Sequence, residues 1–143
     1  MSETETHKKP IQWDAHILRC ALGIMFLAHA YLKPFVHGFA WMQEFFSQVG
    51  LPPFLVYVAF VLELTAGILL LANRFVLYVC VVMLVEMLII TSIHFGNGWL
   101  FAATGGGWEY PAFLAVSLVT LAIRTYQEKP ITWVSGLLNG TAR

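Results

Sequence analysis

Charged residues are scarce in this 143-residue sequence, in which Asp, Glu, Lys and Arg together make up 11% and hydrophobic residues 59%. Soluble domains carry about 25% charged residues, so this composition disfavours a soluble globular class and favours a lipid environment. The 8 basic and 8 acidic residues balance to a formal net charge of zero. Because a nucleic-acid-binding protein needs a concentrated basic surface, we expect no nucleic-acid partner.

Cysteine is nearly absent as well. Cys20 and Cys80 are the two in the chain, and no C-x-x-C motif occurs. Two cysteines are too few for a disulfide framework, and the missing motif gives no support to a thioredoxin-like dithiol. We expect both residues to behave as small hydrophobic side chains and to form no lasting disulfide near the cytoplasmic face.

A cleavable signal peptide is not evident either. Residues 1–13 are polar, and the apolar run that follows is too long for a signal sequence and lacks a small-residue cleavage site. We therefore expect this run to stay in the mature protein as its first membrane span.

Long hydrophobic runs dominate the sequence, whose mean hydropathy is +0.73. A helix needs about 20 mostly apolar residues to cross a hydrocarbon core of roughly 30 Å. The predicted spans are residues 15–35, 54–72, 75–95 and 109–126, with Pro34 ending the first helix. The predicted fold is all-α, a membrane-spanning four-helix bundle forming a single domain over residues 1–143, with polar tails 1–12 and 127–143.

Residues 37–53 are too short and too polar to span a membrane. Their apolar members recur every three or four positions, which predicts a short amphipathic helix lying in the membrane interface between the first two spans. Those apolar members are Trp41, Met42, Phe45, Phe46 and Val49. Residues 50–53, Gly-Leu-Pro-Pro, then turn the chain back.

The basic residues predict an orientation. If the N-terminus is cytoplasmic, Lys33 is the one basic residue on the outer side. All the others then lie at or near the inner face, namely Lys8, Lys9, Arg19, Arg74, Arg124, Lys129 and Arg143. The positive-inside rule therefore predicts a multi-pass inner-membrane protein with both termini in the cytoplasm.

Ionisable residues inside the spans point to a site. Such groups are costly in lipid and usually face the interior of a bundle or a water-filled cavity. Six of them, drawn from all four predicted spans, fall in the outer half, and we predict that they bind a ligand. They are His29, Lys33, Glu63, Glu86, His94 and Glu109. Arg19, at the inner end, is expected to have a structural role by reaching lipid headgroups or the polar tail.

Each of these residues also has a structural interpretation. Lys33 can reach the interface, and His29 can make one hydrogen bond between helices. A buried carboxylate such as Glu63 pairs, hydrogen-bonds or takes up a proton, so a plain ion pair with Lys33 is an equal alternative. Glu86 can simply join two helices, and the two residues nearest water can be ordinary helix-end residues. The sequence leaves both interpretations open.

Metal and haem rank below an organic ligand. The predicted cluster has suitable donor atoms, but di-iron bundles place Glu-x-x-His pairs on two helices and this sequence has none. We therefore predict no metal centre. A haem between His29 and His94 would fit their predicted depths, and we rank it below a quinone.

Four stretches carry a resemblance to a known family. They are RCALGIMFLAHAYLK in the first span, Gly50-Leu51-Pro52, ELTAGILLL from Glu63, and GGGWEYP before the last span. In order and spacing they resemble the DoxX family of small bacterial membrane proteins. The resemblance implies a four-helix inner-membrane protein associated with membrane redox systems, since the family takes its name from a subunit associated with a quinone-reducing thiosulfate oxidoreductase.

The resemblance also assigns positions. It places this chain's polar residues at the family's polar positions, while Asn73 stands where family members commonly have glycine. The residues so placed are Arg19, His29, Lys33, Glu63 and Glu109.

Two functions follow as predictions. The first is a subunit or accessory of a membrane redox system with a quinone-like ligand in the outer half of the bundle. The second is a non-catalytic partner or assembly factor in which the polar residues only lock the helices together. A small transporter is weaker, because the spans show no breaks or clear inverted repeat. Beyond the lipid bilayer, we expect a protein partner or a homo-oligomer, and we assign no catalytic residue.

Overall fold

The computed structural model describes residues 13–128, which are helical over most of their length and contain no strand. Five α-helices follow one another: α1 Trp13–Leu32, α2 Phe39–Gln48, α3 Leu55–Leu71, α4 Val76–His94 and α5 Glu109–Glu128. The prediction of an all-α fold is confirmed. The remaining parts of the two predicted tails lie outside the described residues, while residues 127 and 128 continue α5 rather than beginning a tail.

The chain stays helical for a short distance beyond its first helix, past Pro34. A π-helical turn, Lys33–His37, continues directly from α1 and contains Pro34 in its first positions. Proline has no N–H to donate, and its ring clashes with the carbonyl four residues earlier in an α-helix. The wider π turn admits the ring without breaking the chain's helical course. Gly38, with φ of 79°, then ends it, so the α-helix stops just before Pro34 while the helical course of the chain continues to His37.

The predicted short helix is present as α2. It ends at Gln48, and the chain turns at Gly50, whose φ of 80° is one that residues with a side chain rarely adopt. None of its residues is buried, and Phe39 anchors it to α3 by ring contacts to Tyr57 at 4.9 Å and Phe60 at 5.5 Å between centroids. The helix is confirmed, and its position in a membrane interface stays a prediction.

A short turn joins α3 to α4. Asn73 and Phe75 both take left-handed backbone conformations, with φ of 54° and 53°. Arg19 of α1 stabilises this turn, since its Nη1 donates to the carbonyl of Leu70 and, at 3.1 Å, to that of Leu71. The last carbonyls of a helix lack partners within it, so the guanidinium caps α3. Arg19 is thus bound to the carbonyl groups at the end of α3, and its predicted contact with lipid headgroups or the polar tail stays a prediction.

The four long helices contact one another in a ring. α1 contacts α3 and α5, and α4 contacts the same two helices. α1 and α3 approach each other closely where Gly23 and Gly67 face each other. A Cβ on Gly67 would lie 2.9 Å from the carbonyl oxygen of Gly23, so Gly67 has no room for a side chain. The core inside the ring includes Leu22, Phe26, Leu70, Cys80, Met83 and Leu118.

The outer surface of the ring is apolar on all four long helices. Soluble monomers rarely expose continuous apolar patches of more than a few hundred Å². Two stretches, Trp13–His37 and Val76–Asn97, are long and apolar enough to cross a membrane, and α3 is a shorter apolar helix. Exposed apolar residues include Ile17, Ile24, Val61, Ile68, Val81, Val85, Leu88, Phe113, Val116 and Ile123.

Candidate functional site

A buried ion pair lies inside the ring. Lys33, in the π turn after α1, donates from Nζ to Oε2 of Glu63 in the middle of α3. Their side chains are only 9% and 3% exposed. A charge taken out of water is costly unless a partner of opposite sign compensates it. Each side chain therefore supplies the opposite charge that allows the other to be buried.

Glu86 of α4 brings a second carboxyl group to the same place. It lies within electrostatic range of both Glu63 and Lys33. Both of its carboxyl oxygens are buried, and neither has a hydrogen-bond partner within residues 13–128. An unpaired buried polar group costs about 1–3 kcal/mol, and more if charged. This site therefore holds one cation and two carboxyl groups, with hydrogen-bonding capacity left unused.

His29 and Tyr110 close the site between α1 and α5. Their rings stack with centroids 5.7 Å apart and an angle of 19° between planes. His29 Nδ1 lies 2.9 Å from the carbonyl oxygen of Met25. Because a carbonyl oxygen can only accept a hydrogen bond, Nδ1 carries the proton. In the neutral ring Nε2 is then the lone-pair atom. Both rings lie within electrostatic range of Glu63.

His94 lies apart and holds the glycine-rich loop 98–108. Its Nδ1 contacts the carbonyl oxygens of Gly105 at 3.0 Å and Gly106 at 3.1 Å, and Asn97 Nδ2 donates to the same two oxygens. The imidazole also stacks on Phe45 of α2, with centroids 6.4 Å apart. His94 therefore fixes this loop and α2 against the end of α4.

Glu109 acts on the other limb of that loop. Its Oε1 accepts a hydrogen bond of 2.8 Å from the backbone N–H of Phe101. Gly107 is buried between the two limbs, where any Cβ would overlap the carbonyl oxygen of Leu100. Glycine is therefore required there by the close approach of the backbone.

The structure thus brings four of the six predicted residues together and separates two. His29, Lys33, Glu63 and Glu86 share one interior site with Tyr110, and we call these five residues the polar cluster. His94 and Glu109 hold the loop. Ligand binding by all six stays a prediction.

Tyr110 was missed by sequence reasoning. It stands in the first turn of α5, where its spacing could not reveal which helix it would face. Within residues 13–128 no group of three or more His, Cys, Asp or Glu side chains is arranged to hold a metal ion.

Comparison with known families supports the resemblance to the DoxX family. The family model for DoxX matches residues 15–97, from α1 through α4, and so includes Lys33, Glu63 and Glu86. No curated protein and no solved structure matched the chain. Since the family match covers more than half of the 143 residues, the chain belongs to the DoxX family.

Proposed function

We propose that this DoxX-family protein is a multi-pass inner-membrane protein in which α1, α3, α4 and α5 cross the bilayer as a four-helix bundle. The ring of helix contacts, the apolar outer surface and the two long apolar stretches support this arrangement. At 1.5 Å per residue, the 17 residues of α3 extend about 25 Å, slightly less than a hydrocarbon core. Both termini lie in the cytoplasm by the distribution of basic residues, and α2 rests in the outer interface.

Within this bundle the polar cluster binds a quinone-like ligand, and the protein serves a membrane redox system as a subunit or accessory. The observation that carries this proposal is Glu86, whose two buried carboxyl oxygens have no partner in the described residues. A cluster that only locked helices would need no carboxyl group beyond the Lys33–Glu63 pair. An acid without a partner beside a buried ion pair suits a group that receives or delivers a proton.

The hydrogen-bonding capacity of each side chain gives it a different role in binding. His29 Nε2, as the lone-pair atom of a neutral ring, accepts a hydrogen bond from a quinol hydroxyl. The Tyr110 hydroxyl donates to a quinone carbonyl, and Glu86 exchanges protons with the ligand. Reduction of a quinone consumes two electrons and two protons. The cluster handles the protons, and an associated electron-transfer protein supplies the electrons.

Direct binding tests this function. Purified protein is titrated with a benzoquinone and with a naphthoquinone, each bearing a chain of two isoprene units, and Kd is measured by quenching of tryptophan fluorescence. His29→Ala should raise Kd about 5- to 10-fold, because one hydrogen bond is worth roughly 1 kcal/mol. Because Glu86 exchanges protons with the ligand, Kd of the wild type should change with pH, and Glu86→Gln should remove this change.

Glu44→Gln is the matched control, since Glu44 is an exposed carboxylate on α2 that bonds only to Gln48, at 3.2 Å, among the described residues. It should leave both quantities unchanged. Binding that is identical in the wild type, His29→Ala and Glu86→Gln would refute the proposed role of the cluster.

A non-catalytic partner or assembly factor is the second candidate. The direct Lys33–Glu63 bond favours it, because this bond already joins the end of α1 to α3 without any ligand. Under this alternative Glu63→Gln lowers the stability of the bundle or the yield of its complex. The affinity for either quinone is then the same in both proteins, or absent in both.

A further inference from the structure

The ring of helices is not equally tight all round. α1 packs far more extensively against α3 than against α5. A cavity of about 360 Å³ lies along the α1–α5 seam, and its lining is almost entirely apolar. This volume falls within the range of about 300–1,000 Å³ typical of ligand pockets. Its lining includes Ile17, Ala21, Leu22, Met25, Phe113 and Ser117. We call this cavity the seam groove.

Small residues explain why the groove is there. Ala21 on α1 and Ser117 on α5 leave space between the helices, and Leu22 forms part of a buried floor. The Gly23–Gly67 contact meanwhile draws α1 towards α3. Because α1 is held close on that side, the seam on its other side stays open.

Polar contacts between α1 and α5 lie beside both ends of the groove. At one end Arg124 of α5 donates to Asp14 of α1 at 2.6 Å. At the other end His29 stacks on Tyr110. Met25, which lines the groove, precedes His29 by one helical turn on the same face of α1. The groove therefore leads along the helices to the polar cluster.

The geometry points to a specific occupant: the seam groove holds the isoprenoid chain of the quinone whose ring binds at His29 and Tyr110. This inference rests on the proposed function and adds how the ligand is oriented. From Asp14 to Met25 the groove follows α1 for eleven residues, or about 17 Å, enough for several isoprene units.

Charge favours a quinone over a phospholipid in this place. The polar cluster holds two carboxyl groups and one cation, and that cation is already bonded to Glu63. A phosphate headgroup drawn to this depth would meet the carboxyl groups of Glu63 and Glu86, whereas a quinone ring is neutral. The apolar lining of the groove suits a chain without charge of its own.

Filling the groove tests the inference. Ala21→Leu adds bulk to an exposed residue that lines the groove, and Val82→Leu adds bulk to an exposed residue of α4 that does not. Each variant is titrated with a benzoquinone bearing two isoprene units and with the same ring bearing no chain. Ala21→Leu should weaken the chain-bearing quinone about tenfold or more, since buried chain contact is lost, and should leave the chainless ring unchanged. Val82→Leu should alter neither.

Truncating the wall gives a second test should Ala21→Leu fail to fold. Phe113 is 68% exposed, so Phe113→Ala removes a wall of the groove without opening the core. It should also weaken only the chain-bearing quinone.

The outcomes separate the two proposals. If each quinone binds Ala21→Leu with the same affinity as the wild type, the groove inference is overturned and the proposed function stands. If neither quinone binds the wild type, both are overturned. Loss of a co-purified phospholipid from Ala21→Leu, seen by native mass spectrometry with quinone affinity unchanged, assigns the groove to lipid and also overturns the inference.

Discussion

The contact between Gly23 and Gly67 sets the distance between α1 and α3, and it gives the sharpest prediction for stability. A methyl group placed on Gly67 would lie 2.5 Å from Leu27 Cγ and 2.9 Å from the carbonyl oxygen of Gly23. The leucine side chain can rotate, but the carbonyl oxygen belongs to the backbone of α1. Ordinary contact begins near 3.4 Å, so Gly67→Ala must separate the helices by about 0.5 Å at this point.

The free energy of unfolding follows from two opposing effects. Overpacking of this kind costs about 1–3 kcal/mol, whereas replacing a helical glycine with alanine contributes up to about 1 kcal/mol in the opposite direction. We expect Gly67→Ala to be destabilising by roughly 1 kcal/mol in net terms. Glu63 lies one turn away on the same face of α3, so the separation should also loosen its bond to Lys33.

Thermal or denaturant unfolding of the detergent-solubilised protein measures this change. Gly96→Ala is the matched control, because a methyl group placed on Gly96 would have no atom within 4 Å and the backbone there is not left-handed. The control should stay within about 0.5 kcal/mol of wild type. A Gly67→Ala protein at least as stable as wild type would mean that helix propensity dominates, and the reasoning from close approach would be refuted.

Three further changes test other contacts. Glu63→Gln leaves Lys33 buried without its counter-charge and should lower the free energy of unfolding by about 3–5 kcal/mol. The double variant Lys33→Met/Glu63→Leu should recover most of this loss, and equal stability of the single and double variants would contradict a buried pair. Gly107→Ala should force the loop away from Leu100 and increase hydrogen exchange across residues 98–108, and unchanged exchange would contradict the close approach. Arg19→Met removes the cap of α3 and should cost about 1.5–3 kcal/mol, which a melting curve identical to wild type would disprove.

The positions of the helices were largely predictable from the sequence. Hydrophobic runs interrupted by Pro-Pro at residues 52–53, by Asn73-Arg74 and by a glycine-rich loop placed α3, α4 and α5 within about two residues of their observed bounds. The π turn after α1 was not predictable, since the rule that proline stops an α-helix does not say when the backbone will continue in a wider turn.

The candidate site was predictable in its residue types but not in its grouping. Ionisable residues in apolar helices stand out in any sequence, so Lys33, Glu63 and Glu86 were found. His94 looked equally suitable, yet its partners are carbonyl groups of a loop that no periodicity describes. Tyr110 was overlooked because a tyrosine at a helix start has no distinctive pattern.

Helical structure, abundant apolar residues and a few ionisable groups within the apolar helices could all be read from the sequence, because hydropathy and helix periodicity are local properties. The bond between Lys33 and Glu63, the position of Glu86 beside them without a partner among the described residues, and the groove between α1 and α5 became visible only in the folded chain. These features depend on which faces of different helices meet. That choice is set by close packing at contacts such as Gly23–Gly67, between residues far apart in the chain.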